Sequence, residues 1–97
     1  KPKKPVLKTA KSTKKRTLKV IWKQDTKATG YQVVVARDKK FKKGQKTALI
    51  KNNKTTSRTF KKLKRRKNYY YKVRAYKQVG NTKLYGAYSK VKRIKVK

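Results

Sequence analysis

The stretch NYYYKVRAY, residues 68–76, decides the fold of this chain. Its side chains alternate between two faces, and a period of two residues is typical of a β-strand with one buried and one exposed face. The apolar face carries Tyr69, Tyr71, Val73 and Ala75. The opposite, outward face carries Tyr70, Lys72, Arg74 and Tyr76. The alternation predicts a long strand with its first face in a core.

Other blocks of the chain keep the same period. Leu18, Val20 and Trp22 share a face in RTLKVIWKQ, and Tyr31, Val33 and Val35 share one in GYQVVVAR. Turn signals separate the blocks: Gly30, an Asx-type turn at Asp38, the pair Asn52–Asn53, and a hairpin at Gly80–Asn81. The predicted strands are 6–10, 17–23, 31–37, 46–51, 56–60, 69–77 and 84–96, the last in one or two pieces. This pattern predicts an all-β fold, a seven-stranded antiparallel β-sandwich of the immunoglobulin-like type.

The composition is extreme in one respect only. Of 97 residues, 35 are Lys or Arg and 2 are acidic, which gives a net charge of +33. This length suits one domain, so we expect residues 1–97 to form it, with 1–4 as a basic linker. No apolar run approaches the roughly 18 residues that a membrane span needs. High charge favours disorder, but a disordered tail has no reason to keep the alternating phase.

The side chains that carry most catalysis are missing. The chain has no His and no Cys, and its only acids are Asp25 and Asp38. Metal sites need clustered His, Cys or carboxylates, and a Ser nucleophile needs a neighbouring base. Glycoside hydrolysis needs two positioned carboxylates, which these two Asp residues could supply only by coincidence of folding. We therefore expect no enzyme activity, no metal site and no cofactor.

Several short patterns together resemble the fibronectin type III domain. They are Pro5 and Leu7, Leu18-x-Val20-x-Trp22, Gly30-Tyr31-x-Val33-x-Val35, Leu63-x5-Tyr69-x-Tyr71-x-Val73-x-Ala75, and Gly86-x-x-Ser89. The resemblance implies that Tyr69 is the tyrosine corner, with its hydroxyl bonded to backbone upstream. The lysine-rich segments of the sequence further resemble a subgroup of these domains that occur in tandem on secreted or surface proteins of Gram-positive bacteria.

Two positions depart from the family pattern. Arg58 is in phase with Phe60, where the family has an apolar residue, so its charged head is expected to reach out of the sheet edge. Val91 is out of phase with Ile94 and Val96, which predicts a β-bulge near residues 92–93. The phase of KTALIK, residues 46–51, stays open.

The charge permits two interpretations. Lysines on outer faces keep strand edges from pairing and keep the chain soluble. Alternatively, they hold an anionic polymer. Lys outnumbers Arg by 28 to 7 and basic residues occur in or beside every predicted turn, which favours diffuse attraction over one specific site. The candidate polyanion- or glycan-binding residues are Lys61, Lys62, Lys64, Arg65, Arg66, Lys67, Tyr70, Lys72, Arg74, Tyr76, Tyr85 and Tyr88.

Each candidate group also has a plain structural explanation. The run 61–67 suits a solvated turn, and tyrosines pair across strands to stabilise exposed sheets. For function, we expect a non-catalytic, extracellular or cell-surface spacer and interaction module, whose leader peptide lies outside this sequence. It would be a monomeric unit of a larger multi-domain bacterial protein, involved in adhesion. Its expected partners are anionic cell-wall polymers such as teichoic acids, or host glycans. The alternatives are a nucleic-acid-binding domain, a glycan-binding module that uses the tyrosines, and an engineered supercharged scaffold.

Overall fold

The computed structural model describes residues 5–97, so the predicted basic linker 1–4 lies outside the described residues. Seven strands follow one another along the chain. They are β1 (Leu18–Ile21), β2 (Gly30–Ala36), β3 (Lys46–Ile50), β4 (Ser57–Phe60), β5 (Asn68–Val79), β6 (Thr82–Tyr85) and β7 (Lys92–Lys95). No helix within residues 5–97 is both long enough and apolar enough to cross a membrane.

Two antiparallel sheets stack on each other. The smaller sheet pairs β1 with β4, and the larger has the order β3-β2-β5-β6, with β7 also paired to β5. The long strand β5 therefore carries both later strands along one edge, β7 near its beginning and β6 near its end. The predicted sandwich of seven antiparallel strands is confirmed.

The core lies between the two sheets and takes the predicted faces. Trp22 is fully buried and packs against Tyr31, with ring centroids 5.4 Å apart. The β3 segment resolves its phase here, because Ala48 and Ile50 point inward while Leu49 stays partly exposed. Arg58 is exposed, as expected. The other buried residues of this core are Leu18, Val20, Ala28, Val33, Val35, Phe60, Leu63, Tyr69, Tyr71, Val73, Ala75 and Val96.

The prediction of a first strand at residues 6–10 is wrong. The segment pairs with β1 and the residue after it through two isolated bridges, Leu7 to Trp22 and Lys11 to Lys19. Two single backbone bonds accompany them, from Lys8 N–H to the Ile21 carbonyl and from Lys23 N–H to the Val6 carbonyl. The four steps from residue 7 to residue 11 lie opposite only three steps from residue 22 to residue 19, so the register slips by one residue between the bridges. An extra residue interrupts the ladder of hydrogen bonds, and a continuous strand cannot form there.

The predicted last strand, 84–96, is split into β6 and β7. Tyr76 faces Tyr85 and Tyr71 faces Lys92, so five steps along β5 match seven steps along the other side. The two extra residues lie within 86–91. The bulge predicted near residues 92–93 is therefore wrong in position, because β7 pairs with β5 one to one. Val91 breaks the phase because it precedes the strand, and it is exposed.

Backbone turns follow the sequence signals. Gly80, at φ 58°, and Asn81 join β5 to β6, with positive φ at the first central residue as in a type II′ hairpin. The Asp38 carboxylate accepts the backbone N–H groups of Lys42 and Lys43, both at 2.8 Å. These bonds reach four and five residues on. The bond from Lys43 holds the pKa of Asp38 below its ordinary value, and the Lys40 N–H, two residues on as in an Asx turn, also contributes to lowering this pKa.

Candidate functional site

The tyrosine corner fixes the most basic loop of the chain. The backbone N–H of Lys64 donates to the Tyr69 hydroxyl at 2.8 Å, which confirms the bond that the resemblance implied. Leu63 is buried beneath the loop and anchors it to the core. Lys62 and Arg66 adopt left-handed backbone, with φ of 59° and 58°. All six cations of residues 61–67 are exposed, because the buried Leu63 leaves them no inward position.

Three further segments join this loop at the same end of the sandwich. Arg16 N–H donates to the Lys97 carbonyl at 2.8 Å, and Leu63 N–H donates to the Arg16 carbonyl at 3.0 Å. The Lys46 ammonium, at the start of β3, donates to the Lys61 carbonyl at 3.0 Å. The loop 37–43, which runs from β2 towards β3, lies here as well, because Ala36 pairs with Tyr70 near the start of β5.

We call segments 14–16, 37–43 and 61–67, together with Lys97, the cationic end. It carries three, five, six and one basic residues respectively, fifteen altogether, against the single acid Asp38. At the opposite end of the described chain, segments 23–29, 51–56 and 80–81 carry four lysines and Asp25. The net charges of the two ends are therefore +14 and +3. The sequence predicted an even spread of charge, and the structure concentrates it instead.

Close spacing makes the cationic end act as one field. The molecule measures 41 × 24 × 20 Å, and the twelve residues of β5 span about 40 Å, so the long axis follows the strands. Fifteen cations attached to a cross-section of 24 × 20 Å place neighbouring charges at separations comparable to the Debye length, roughly 8 Å at physiological salt. Screening by salt is therefore incomplete between neighbours, and their attraction for an anion adds up.

A second arrangement lies on the outer face of the larger sheet. The Arg74 guanidinium stacks on Tyr85 at 3.7 Å and faces Tyr88 at 4.7 Å, measured to the ring centroids. The Lys72 ammonium lies 4.0 Å from the Tyr88 centroid and 4.3 Å from that of Phe41. Aromatic rings and cations thus alternate in a row, which we call the outer row: Phe41, Lys72, Tyr88, Arg74 and Tyr85.

Gln32 closes the outer row from below. Its side-chain carbonyl accepts a hydrogen bond from Arg74 Nε at 2.6 Å and a second from the Tyr88 hydroxyl at 3.2 Å. Both cations of the row are therefore held in place by neighbours on the sheet. Attraction between a cation and a ring face offsets part of the cost of placing two positive charges on adjacent positions of one face.

The interruption between β6 and β7 creates this row. Tyr85 and Tyr88 are three residues apart, and on a regular strand they would point to opposite faces. Here the extra residues turn both rings to the outer face. Ser89 holds the distortion in place: it is buried, its hydroxyl accepts the Val73 N–H at 3.0 Å, and its own N–H donates to the Val73 carbonyl at 2.7 Å. The Gly86-x-x-Ser89 pattern thus has a structural role.

Tyr76 departs from the predicted outward set. It is only 2% exposed, so it cannot contact a ligand from solution. Its ring covers Gly30, its partner across the sheet, where a Cβ atom would come within 2.9 Å of the ring and of the hydroxyl. Tyr85 packs against it with centroids 5.9 Å apart. Burial raises the pKa of Tyr76 above its ordinary value.

The sequence missed a small second core under the outer row. Val34 and Ala36 are buried on the outer face of β2, covered by Phe41, and Tyr70 and Tyr88 pack against them. Phe41, in the loop after β2, adopts a φ of 58° and folds back over the sheet. The uninterrupted apolar run 33–36 was the available signal, because such runs indicate a strand buried on both faces.

The predicted site residues therefore fall into separate places. The six cations of 61–67 lie at the cationic end, Lys72, Arg74, Tyr85 and Tyr88 lie in the outer row, and Tyr70 lies between the two groups on β5. Within residues 5–97 no three His, Cys, Asp or Glu side chains gather as metal ligands would. What the site offers chemically is positive charge, without a candidate acid–base pair beside it.

Comparison with solved structures identifies relatives of the fold. The chain superimposes on the chicken CNTN1 FN1–FN3 domains with a TM-score of 0.79 and 22% identity. The aligned part is 99% of this chain and 31% of the contactin chain. The fn3 domain of human contactin 1 gives 0.75 and 18%, over 96% of this chain and 76% of that chain. A β-1,2-glucanase from Parabacteroides distasonis gives 0.76 and 18%, over 97% of this chain and only 12% of the enzyme.

The sequence itself gives the family. None of the curated proteins compared with the chain matches it significantly. The profile of the fibronectin type III domain family, whose domains are generally non-catalytic modules, matches residues 3–91, which is most of the sequence. Together with the sandwich, the tyrosine corner and the position of Trp22, this match shows that the chain belongs to the fibronectin type III domain family.

Proposed function

We propose that this domain is a non-catalytic interaction module of a bacterial surface or secreted protein, and that it associates through its cationic end with anionic cell-wall or host polymers. The observation that carries the proposal is the gathering of fifteen basic side chains from four segments at one end of the sandwich. A charged surface that served solubility alone would not need to be one-sided.

The outer row supports a polyanion over a neutral sugar. Stacking on a sugar needs an open aromatic face. The Tyr88 ring lies between Lys72 and Arg74, and Tyr85 carries Arg74 on one side and packs against Tyr76 on its other flank. Tyr76 itself is buried. These three rings are occupied by the domain's own side chains, so Tyr70 is the candidate tyrosine left as a platform for a sugar ring.

The experiment compares two variants of equal charge. The first replaces four exposed cations of the cationic end by Gln: Lys62, Lys64, Arg65 and Lys67. The control replaces the four lysines of the opposite end: Lys23, Lys27, Lys51 and Lys54. Binding to purified wall teichoic acid, to heparin and to duplex DNA is measured over a series of salt concentrations, so that each polymer gives an affinity and a salt slope.

The expected result is a clear difference between the variants. If the four cations contact duplex DNA, their loss reduces the salt slope by up to about 3.6, at roughly 0.9 per phosphate neutralised. The control variant should keep the slope of the unmodified domain on each polymer. Equal losses in both variants would overturn the role of the cationic end. Failure of the unmodified domain to bind any of the polymers at about 150 mM salt would overturn the function itself.

The same measurement decides the nucleic-acid alternative. Purely electrostatic contacts weaken steeply as salt rises, and they do so for every polyanion. We expect binding to teichoic acid and to heparin to survive to salt concentrations at least as high as binding to DNA does. Retention of DNA at salt concentrations that release the other two polymers would show a nucleic-acid-binding domain instead.

A further inference from the structure

An open cleft of about 550 Å³ lies on the outer face beside the cationic end. Its volume falls within the range of roughly 300–1,000 Å³ that ligand sites occupy. The residues that line it are Lys39, Tyr70, Val91, Lys92 and Arg93. They come from three places in the chain: the loop 37–43, the start of β5, and the junction where the irregular segment 86–91 enters β7.

Strand pairing explains why these side chains meet. Tyr70 and Arg93 are direct partners across β5 and β7, so their side chains stand beside each other on the same face. Val91 precedes the first paired residue of β7 and has no inward position. Val91 is 46% exposed. By contrast, the valines of β2 and β5 are buried, except Val79 at the hairpin. Lys39 reaches the cleft from the cationic end.

The lining combines two kinds of chemistry. Lys39 and Arg93 supply two positive charges, and neither Asp25 nor Asp38 is among the lining residues. Lys92 pairs with the buried Tyr71, so its side chain starts on the opposite face of β7. Tyr70 and Val91 supply an apolar surface. Lys72 and Arg74 are stacked on rings, but within the described chain neither of the two cleft cations is stacked in that way. Their charges are free to meet an anion.

We propose that this cleft binds a unit of an anionic saccharide, a sugar ring that bears sulfate or carboxylate groups. The anionic groups would pair with Arg93 and Lys39, and the ring's C–H face would rest on Tyr70 and Val91. A chain of bare phosphates has charge but no apolar face, so it can use only half of the lining. The inference rests on the proposed function, since it names the polymer class that the cationic surface selects.

The test uses two probes of similar charge density, a heparin hexasaccharide and a short linear polyphosphate, at about 150 mM salt. The cleft variant is Lys39→Gln with Arg93→Gln. Its charge-matched control is Lys19→Gln with Lys23→Gln, two exposed lysines at and just after β1 on the other sheet. A third variant, Val91→Ser, changes no charge and alters an exposed side chain, so the fold should tolerate it.

The expected pattern separates the probes. The cleft variant should bind the hexasaccharide about 10-fold more weakly, the effect of roughly 1.4 kcal/mol, and the control less than about 3-fold more weakly. Val91→Ser should weaken the hexasaccharide by about 3-fold and leave polyphosphate unchanged. In NMR titrations the hexasaccharide should shift the amide signals of residues 91–93 at lower concentrations than those of 19–23.

Each failure has its own meaning. If the unmodified domain binds neither probe, the proposed function falls together with this inference. If it binds both and the cleft variant loses no more than the control, only the cleft assignment is overturned. If Val91→Ser weakens both probes equally, or neither, the apolar contact with a sugar ring is refuted.

Discussion

Replacing Arg74 by Met should destabilise the domain, even though it removes a charge from a protein of net charge +33. Met keeps the length of the apolar stem but cannot donate to Gln32 or stack as a cation between Tyr85 and Tyr88. General repulsion makes the opposite prediction. Lys72 shares the Tyr88 ring with Arg74, and removing one charge of a pair roughly 8 Å apart gains only about 0.5 kcal/mol in water, less with salt.

The contacts of Arg74 give the size of the loss. A hydrogen bond to a charged group contributes about 1.5–3 kcal/mol, and the lower end applies because Gln32 keeps the Tyr88 hydroxyl as a partner. The two ring contacts of a partly exposed cation add about 0.5 kcal/mol each. Contacts of the Met sulfur with the rings return part of this, so we expect a net loss of about 2 kcal/mol.

Urea unfolding at about 150 mM salt, followed by the fluorescence of the buried Trp22, measures the free energy of unfolding. Guanidinium chloride is unsuitable because it is itself a salt and screens the charges. The melting temperature of Arg74→Met should fall by roughly 8–16 °C. The control is Lys77→Met, an exposed lysine on the same strand, which should change stability little or raise it. If both variants were equally or more stable than the unmodified domain, the stacked cations would have no stabilising role.

Three further predictions follow from features described above. Tyr69→Phe removes the acceptor of the Lys64 N–H and should cost about 1 kcal/mol in urea unfolding, whereas Tyr70→Phe next to it should cost clearly less; equal effects would contradict the corner's role. The melting temperature should rise between about 10 mM and about 300 mM salt because screening reduces repulsion, and a flat profile would show that repulsion is unimportant. Burial raises the pKa of Tyr71 above 10.0, so the unfolded chain loses this proton first and stability falls as pH rises from about 10 through the folded pKa. The Tyr71→Phe variant should therefore lose less stability than the unmodified domain over that pH range. Lysines titrate in both proteins, so the difference between the two pH profiles isolates Tyr71. Parallel profiles would show that the buried hydroxyl does not cause the loss of stability.

The fold was predictable because the apolar side chains keep their two-residue alternation despite the many lysines. The inward faces of β1, β2 and β5 carry no charged residue along their buried stretches, so alternation alone identified them. The segment 6–10 was misread because its apolar residues also fit a strand, and only the slipped register shows that it does not form one. The interruption at 86–91 was assigned to the wrong residues, since its cause is the pairing of two strands with one edge of β5.

The candidate site was only partly predictable. The run 61–67 is visible as a run, but sequence does not show that 14–16, 37–43 and Lys97 meet it, because strand topology brings these distant segments together. The outer row depends on Tyr85 and Tyr88 facing the same way, which contradicts their spacing. The cleft depends on the same irregular segment. In each case the missing information is three-dimensional, while the residue types were already conspicuous.

The unequal charge of the two ends also sets an orientation. Counting the described residues 5–97, one end carries a net charge of +14 and the other +3, so near a flat anionic layer the first is drawn in more strongly and a torque turns the long axis upright. The domain then covers an area of about 24 by 20 Å and stands 41 Å high, where a molecule lying on its side would cover nearly twice that area. Val6, whose carbonyl accepts the Lys23 N–H at the weakly charged end, points away from the layer. A surface could therefore hold these domains closely side by side, each with its uncharged hairpin Gly80–Asn81 facing the solution.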